Sequence, residues 1–173
     1  MFGIGEYIIY GMNGVCRVEE IGPMSLNGVD SDRIYYTLLP LYTKGSRMYT
    51  PVDNQKVIMR PVISEQEVCQ LIDDIQNIEE IDVTDDKRRE LAYKEAVKSC
   101  DCRELIRIIN TTRKRKKERI AQGKKISACD ERYLKQAQDT LYGEFAISLK
   151  IDKGEVENFI SSRIGNVEMV PAS

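Results

Sequence analysis

The chain has 173 residues, 42% hydrophobic and 31% charged, with 26 Lys and Arg against 28 Asp and Glu for a net charge of −2. This is the composition of a soluble folded protein, long enough for one ordinary domain or two small ones. It has no histidine, which excludes Ser-His-Asp and Cys-His catalysis and the common histidine-containing zinc sites. No apolar run approaches the ~20 residues that span a bilayer, and no charged start precedes an apolar stretch at the N-terminus, so a cytoplasmic location is expected. The five cysteines (16, 69, 100, 102 and 129) form no Cys-x-x-Cys pair. Their odd number suits buried thiols better than a disulfide framework. Cys100 and Cys102 read as small residues packing near a helix start. No Gly-rich phosphate loop is present: Gly3-x-Gly5 has no strand before it. Carboxylate pairs fall in solvated runs, so no catalytic residue, metal ligand or cofactor is expected.

The first 62 residues read as β structure and hold six of the nine tyrosines. Two β-prone stretches joined through Asn13-Gly14 predict a hairpin with a tight primed turn, since Asn and Gly tolerate positive φ. Residues 33–41 alternate, with Ile34, Tyr36 and Leu38 on one face. Lys44-Gly45 marks a turn into a strand ending at Pro51, and a short strand around residues 56–59 closes the set. Five short curved strands predict a small Tudor/SH3-like β-barrel with Pro51 at an edge or strand end. Arg47 and Tyr49 lie on one strand face, with Tyr36 on a neighbour. Exposed aromatic plus Arg is the composition of a protein-binding hot spot, so Tyr36, Arg47 and Tyr49 are the candidate docking residues. The alternative is that these tyrosines are core.

Near Pro61 the hydrophobic period changes from two to about 3.6. Ser64-x-x-Glu67 is a capping box, followed by Val68, Leu71, Ile72, Ile75 and Ile78 at helical spacing. Thr84 is expected to cap a second helix ending near Ser99, and Asp101-x-x-Glu104 to open a third that stops at Gly123. Ser127 opens a fourth, with Leu134, Ala137, Leu141 and Phe145 inside. A fifth, after Asp152, carries Val156, Phe159 and Ile160. The expectation is an α+β chain: residues 1–62 a Tudor-like domain, 63–165 a compact helical domain of about five helices, and 166–173 a tail.

Between residues 103 and 125 stand ten Lys and Arg against two Glu. Five consecutive cations, Arg113, Lys114, Arg115, Lys116 and Lys117, cover every direction around a helix, so some must snorkel. One reading is phosphate contact; the other is a solvated helix end beside the C-terminal dipole. Arg88 and Arg89 open a helix, where cations are unfavourable unless Asp85 and Asp86 or a bound phosphate offset them. The candidate nucleic-acid residues are therefore Arg88, Arg89, Arg113, Lys114, Lys116, Lys117, Arg119, Lys124, Lys125 and Arg132. Seven carboxylates between residues 73 and 86 form a solvated connection that is also suited to limiting indiscriminate DNA binding.

The order Gly5-Glu-x-Ile-Ile-Tyr10, Asn13-Gly14-Val15 and Val18-Glu-Glu-Ile21 resembles the opening of CarD/CdnL-type bacterial transcription regulators. That opening is shared with the RNA-polymerase-interacting module of transcription-repair coupling factor. Arg88-Arg89, Tyr93-Lys94 and Leu141-Tyr-Gly-Glu144 extend the resemblance to about residue 164. It implies a Tudor-like part that binds the RNA polymerase β subunit and a helical part that contacts promoter DNA at the upstream edge of the bubble. It further implies stabilisation of the open complex with weak sequence preference, and no cofactor, small-molecule substrate, membrane or turnover. The family often places a tryptophan just before the Arg-Arg pair as a minor-groove wedge; here Thr84-Asp-Asp-Lys87 stands there. Two other readings stay open: a protein-interaction adaptor that binds polymerase without touching DNA, and an RNA-binding factor, which the β half is not basic enough to favour.

Overall fold

The structure, a computed structural model, describes residues 1–25, 28 and 32–165. The tail expected over 166–173 lies outside them. The fold is α+β. The strands are β1 (Tyr7–Tyr10), β2 (Val15–Pro23), β3 (Ile34–Pro40), β4 (Met48–Pro51) and β5 (Met59–Pro61). The helices are α1 (Glu65–Asp73), α2 (Asp86–Lys98), α3 (Cys102–Ala121), α4 (Ala128–Leu149) and α5 (Val156–Ile164). The chain divides into two compact units, Met1–Val62 and a second from Ile63 on.

The first unit is a five-stranded antiparallel sheet of Tudor-like type in the order β4-β3-β2-β1-β5. The β1–β2 connection is a single 3₁₀ turn over Gly11–Asn13 rather than a two-residue primed turn. Positive φ falls on Gly11 (+50°) and Gly14 (+69°), and Asn13 stays outside that region. A Cβ on Gly11 would also lie 2.7 Å from Val57 Cγ1, so this position requires glycine both for conformation and for space. Ile8 faces Cys16 and Val18 faces Leu38, and a bulge between Val18 and Glu20 re-aims β2. Ile8, Cys16, Val18, Tyr36 and Leu38 form the core, while Ile34, at the start of β3, is partly exposed. Burial pushes the Cys16 thiol up to about 11.

The second unit is all helical. Ser64 and Glu67 form the reciprocal capping box, and Asp101 and Ser127 cap α3 and α4. α2 is capped by Asp85, which accepts from the Arg88 N–H, and not by Thr84. α1 stops at Asp73, before the expected Ile75 and Ile78; these two and Ile81 are instead core residues of the α1–α2 connection. The core centres on Tyr93, Leu105, Ile108, Leu141 and Phe145. Glu144, 1% exposed, accepts from the Ile63 N–H at 3.0 Å and from the Cys102 thiol at 3.1 Å, and the Ser148 hydroxyl donates to the Ile63 carbonyl at 2.5 Å. Cys102 therefore does pack at a helix start, and its thiol also satisfies a buried carboxylate.

Candidate docking and nucleic-acid surfaces

On the sheet, residues alternate between core and solvent, and the pairing register assigns each candidate to a side. Tyr36 pairs with Thr50 and points into the core. It is 1% exposed, its ring packs 5.9 Å from Phe2 and its hydroxyl accepts from the Phe2 N–H at 2.9 Å. As a contact residue for a partner Tyr36 is thus corrected: it builds the sheet. Tyr49 pairs with Thr37 on the opposite, solvent side and is 48% exposed. Arg47, just before β4, reaches Glu19 at 3.0 Å, and Glu19 also accepts from Arg17 at 3.0 Å. Arg17 first, then Arg47, holds the Glu19 carboxyl below its usual range. Beside this triad runs a groove of about 280 Å³ lined by Glu20, Pro23, Tyr35, Thr37 and Tyr49. Aromatic rings, a threonine hydroxyl and an arginine–glutamate pair thus share one open face next to the edge strand β4.

In the helical unit, much of the basic run already has acidic company. Arg89 is 5% exposed, ion-paired with Asp86 and 3.7 Å from Asp130. Asp130 is itself buried and takes hydrogen bonds from Tyr93 Oη at 3.0 Å and Arg115 Nε at 2.9 Å. Burial, then the Asp130 charge, pushes the Tyr93 phenol well above its ordinary value, so it stays a donor. Arg113, with a side chain 12% exposed, lies 3.8 Å from Glu157. Lys114 pairs with Glu80 at 2.9 Å, and Arg132 with Glu90 at 3.1 Å while stacking over Tyr133. As phosphate contacts Arg89 and Arg113 are therefore corrected, since both are turned inward, while Lys114 and Arg132 stay on the surface beside the carboxylates that engage them. Asp85 and Asp86 do offset the two arginines locally, one as cap and one as ion-pair partner.

Other candidates stay open to solvent. Arg88, Lys117, Lys124 and Lys125 are exposed. Arg119 is half-buried and braces the α3–α4 turn by donating to the Lys125 carbonyl at 2.7 Å. Lys116 lines a cleft of about 450 Å³ between α3 and α4, with Asp130, Leu134, Lys135 and Gln138. A set the sequence reading missed lies on the outer side of α2, where Lys87, Leu91, Lys94 and Lys98 follow one another at four-, three- and four-residue steps. All four are exposed, Leu91 by 58%. Projecting residues 86–98 on a helical wheel would have found them, because 3.6-residue periodicity applies to cations as well as to apolar residues. Among the described residues, Lys87, Arg88, Lys98, Lys124 and Lys125 have no ion-pair partner. Asp86 feels Arg89 first and also Arg115 and Arg119, which places the start of α2 beside the C-terminal half of α3. The open cations of the α2 start and of the α3–α4 turn therefore gather at one end of the bundle.

Comparison with known families follows the same division. Residues 2–63 match the CarD-like/TRCF RID domain, and residues 68–161 match the CarD C-terminal domain. No curated protein matches the chain. No helix among the described residues is long and apolar enough to cross a membrane. With one model covering its sheet unit and the other more than half its length, this chain belongs to the CarD family of RNA-polymerase-interacting transcription regulators.

Proposed function

We propose that the chain is a non-enzymatic transcription regulator that docks on the RNA polymerase β subunit through the outer face of its sheet and touches promoter DNA through its helical unit, modulating open-complex stability. The docking face is the Arg47–Glu19–Arg17 triad with Tyr49 and its groove; Tyr36 supports that face from beneath. The observation that carries DNA contact is the group of solvent-exposed cations without acidic partners at one end of the bundle: Arg88 and Lys87 on α2, Lys124 and Lys125 at the turn. Lysines and arginines so placed neutralise phosphates and release counterions, which gives affinity without base reading. Lys116, Lys117 and Arg119 flank this surface.

The test is binding of the full chain to duplex DNA across a salt series. A linear fall of log affinity with log salt, less steep after Lys124→Gln and Lys125→Gln, supports the reading. No binding at low salt sinks it and leaves the adaptor, which the ion pairs along α3 favour. Retention of the polymerase β subunit by the full chain, weakened by Arg47→Glu, tests the docking half separately.

A further inference from the structure

One side of α3 carries Arg103, Arg107, Asn110, Thr111 and Lys114, spaced to stack along the helix. Each of them engages the connection between α1 and α2. Arg103 donates to Asp74 at 2.6 Å, Arg107 to the Glu79 carbonyl at 3.2 Å and Lys114 to Glu80 at 2.9 Å. Asn110 donates to the carbonyls of Ile75 and Ile78, and the Thr111 hydroxyl accepts from the Ile81 N–H.

What keeps this connection in place is mainly apolar: Ile75, Ile78 and Ile81 are 3%, 4% and 8% exposed in the core. The carboxylates do different work. Their side chains are 39% exposed at Asp74 and 40% at Glu80, and ion pairs so accessible contribute little to stability. They do decide what an approaching polyanion meets. Without them, Arg103 and Lys114 would be released on α3, on either side of Arg107, which Glu104 of the same helix already holds at 3.1 Å, and would offer a phosphate backbone sequence-independent contacts. Glu80 first, then Glu118 of α3 itself and Asp82, raises the Lys114 ammonium above its ordinary value.

We propose that the 74–82 connection is a fixed internal polyanion mimic: Asp74 and Glu80 occupy an α3 strip that would otherwise bind nucleic-acid phosphates, confining DNA to the α2 start and the α3–α4 turn. The inference deepens the DNA-contact reading and rests on it. Because the isoleucines anchor the segment, the shield is permanent and sets the footprint.

The experiment is a salt series of full-length chain with a random-sequence duplex, comparing the wild type with the Asp74→Asn, Glu80→Gln double variant. These changes keep side-chain size, and thermal melting checks the fold. The expected result is binding at least about threefold tighter at low salt, with a slope steeper by about 0.9 for each additional phosphate neutralised. Arg103→Gln should leave wild-type binding unchanged and remove part of the gain in the double variant. Equal affinity and slope for wild type and double variant overturn the shield while leaving DNA contact standing. Binding by neither overturns both readings. Binding by the double variant alone overturns DNA contact by the wild type and, with it, the proposed confinement of DNA to the α2 start and the α3–α4 turn. A loss of wild-type binding on Arg103→Gln also overturns the shield, because that cation would then already be in use.

Discussion

Two stretches of the helical unit are rich in cations, and they differ in what answers the charge. Along α3 the cations reach carboxylates or carbonyls from distant parts of the chain: Arg103 reaches Asp74, Lys114 reaches Glu80 and Arg115 reaches Asp130. On the outer side of α2 and at the α3–α4 turn, Lys87, Arg88, Lys98, Lys124 and Lys125 face solvent with no such partner among the described residues. A high count of Lys and Arg is therefore a poor guide to where a polyanion binds. The unanswered charge matters, and here it lies at the ends of the most basic segment and beside it.

The contrast breaks most severely at Asp130, which serves both stretches by joining Tyr93 and Arg89 of α2 to Arg115 of α3. Asp130→Ala leaves the Tyr93 hydroxyl and Arg115 without their acceptor and Arg89 with Asp86 alone, and urea unfolding should show a loss of about 3 kcal/mol. Glu144→Ala should cost about 2 kcal/mol, since it leaves the Ile63 N–H unsatisfied. Glu144→Gln keeps an acceptor and should cost less.

Smaller effects sharpen the contrast without unfolding anything. Lys124→Gln with Lys125→Gln should flatten the salt dependence of DNA binding by about 0.9 for each phosphate left without its cation. Arg47→Glu faces Glu19 with a like charge and should weaken retention of the polymerase β subunit, while thermal stability stays near that of the wild type. The smallest effect is a pH dependence. Arg163 holds Asp73, and Arg103 then Asn77 hold Asp74, below the ordinary value of 3.8. A depressed carboxylate stabilises the fold above its unfolded value and stops doing so as pH falls through the folded one. The urea midpoint should therefore be flat near neutrality and fall in acid below pH 3.8, less so in high salt.

The sequence revealed what depends on near neighbours. Ser64, Asp101 and Ser127 were identifiable as caps because a cap and its amide lie within three residues. Thr84 and Asp85 both offer an oxygen, and it is Asp85 that caps α2; the Arg89–Asp130 pair spans 41 residues, which no local pattern encodes. The alternation over β3 grouped Tyr36 with Leu38, which already implied its burial. The exposed Tyr49 is distinguished only by pairing with Thr37 on the solvent side. The site was least legible where it is electrostatic. Lys114 meets Glu80 across 34 residues and Arg103 meets Asp74 across 29, so the sequence showed that some of the basic run must turn aside but not which cations meet a carboxylate.

The Ile63 peptide is gripped from both sides by α4, its N–H by Glu144 and its carbonyl by Ser148. A pull transmitted through the backbone from the sheet is therefore delivered to the last turns of α4 before it reaches α1.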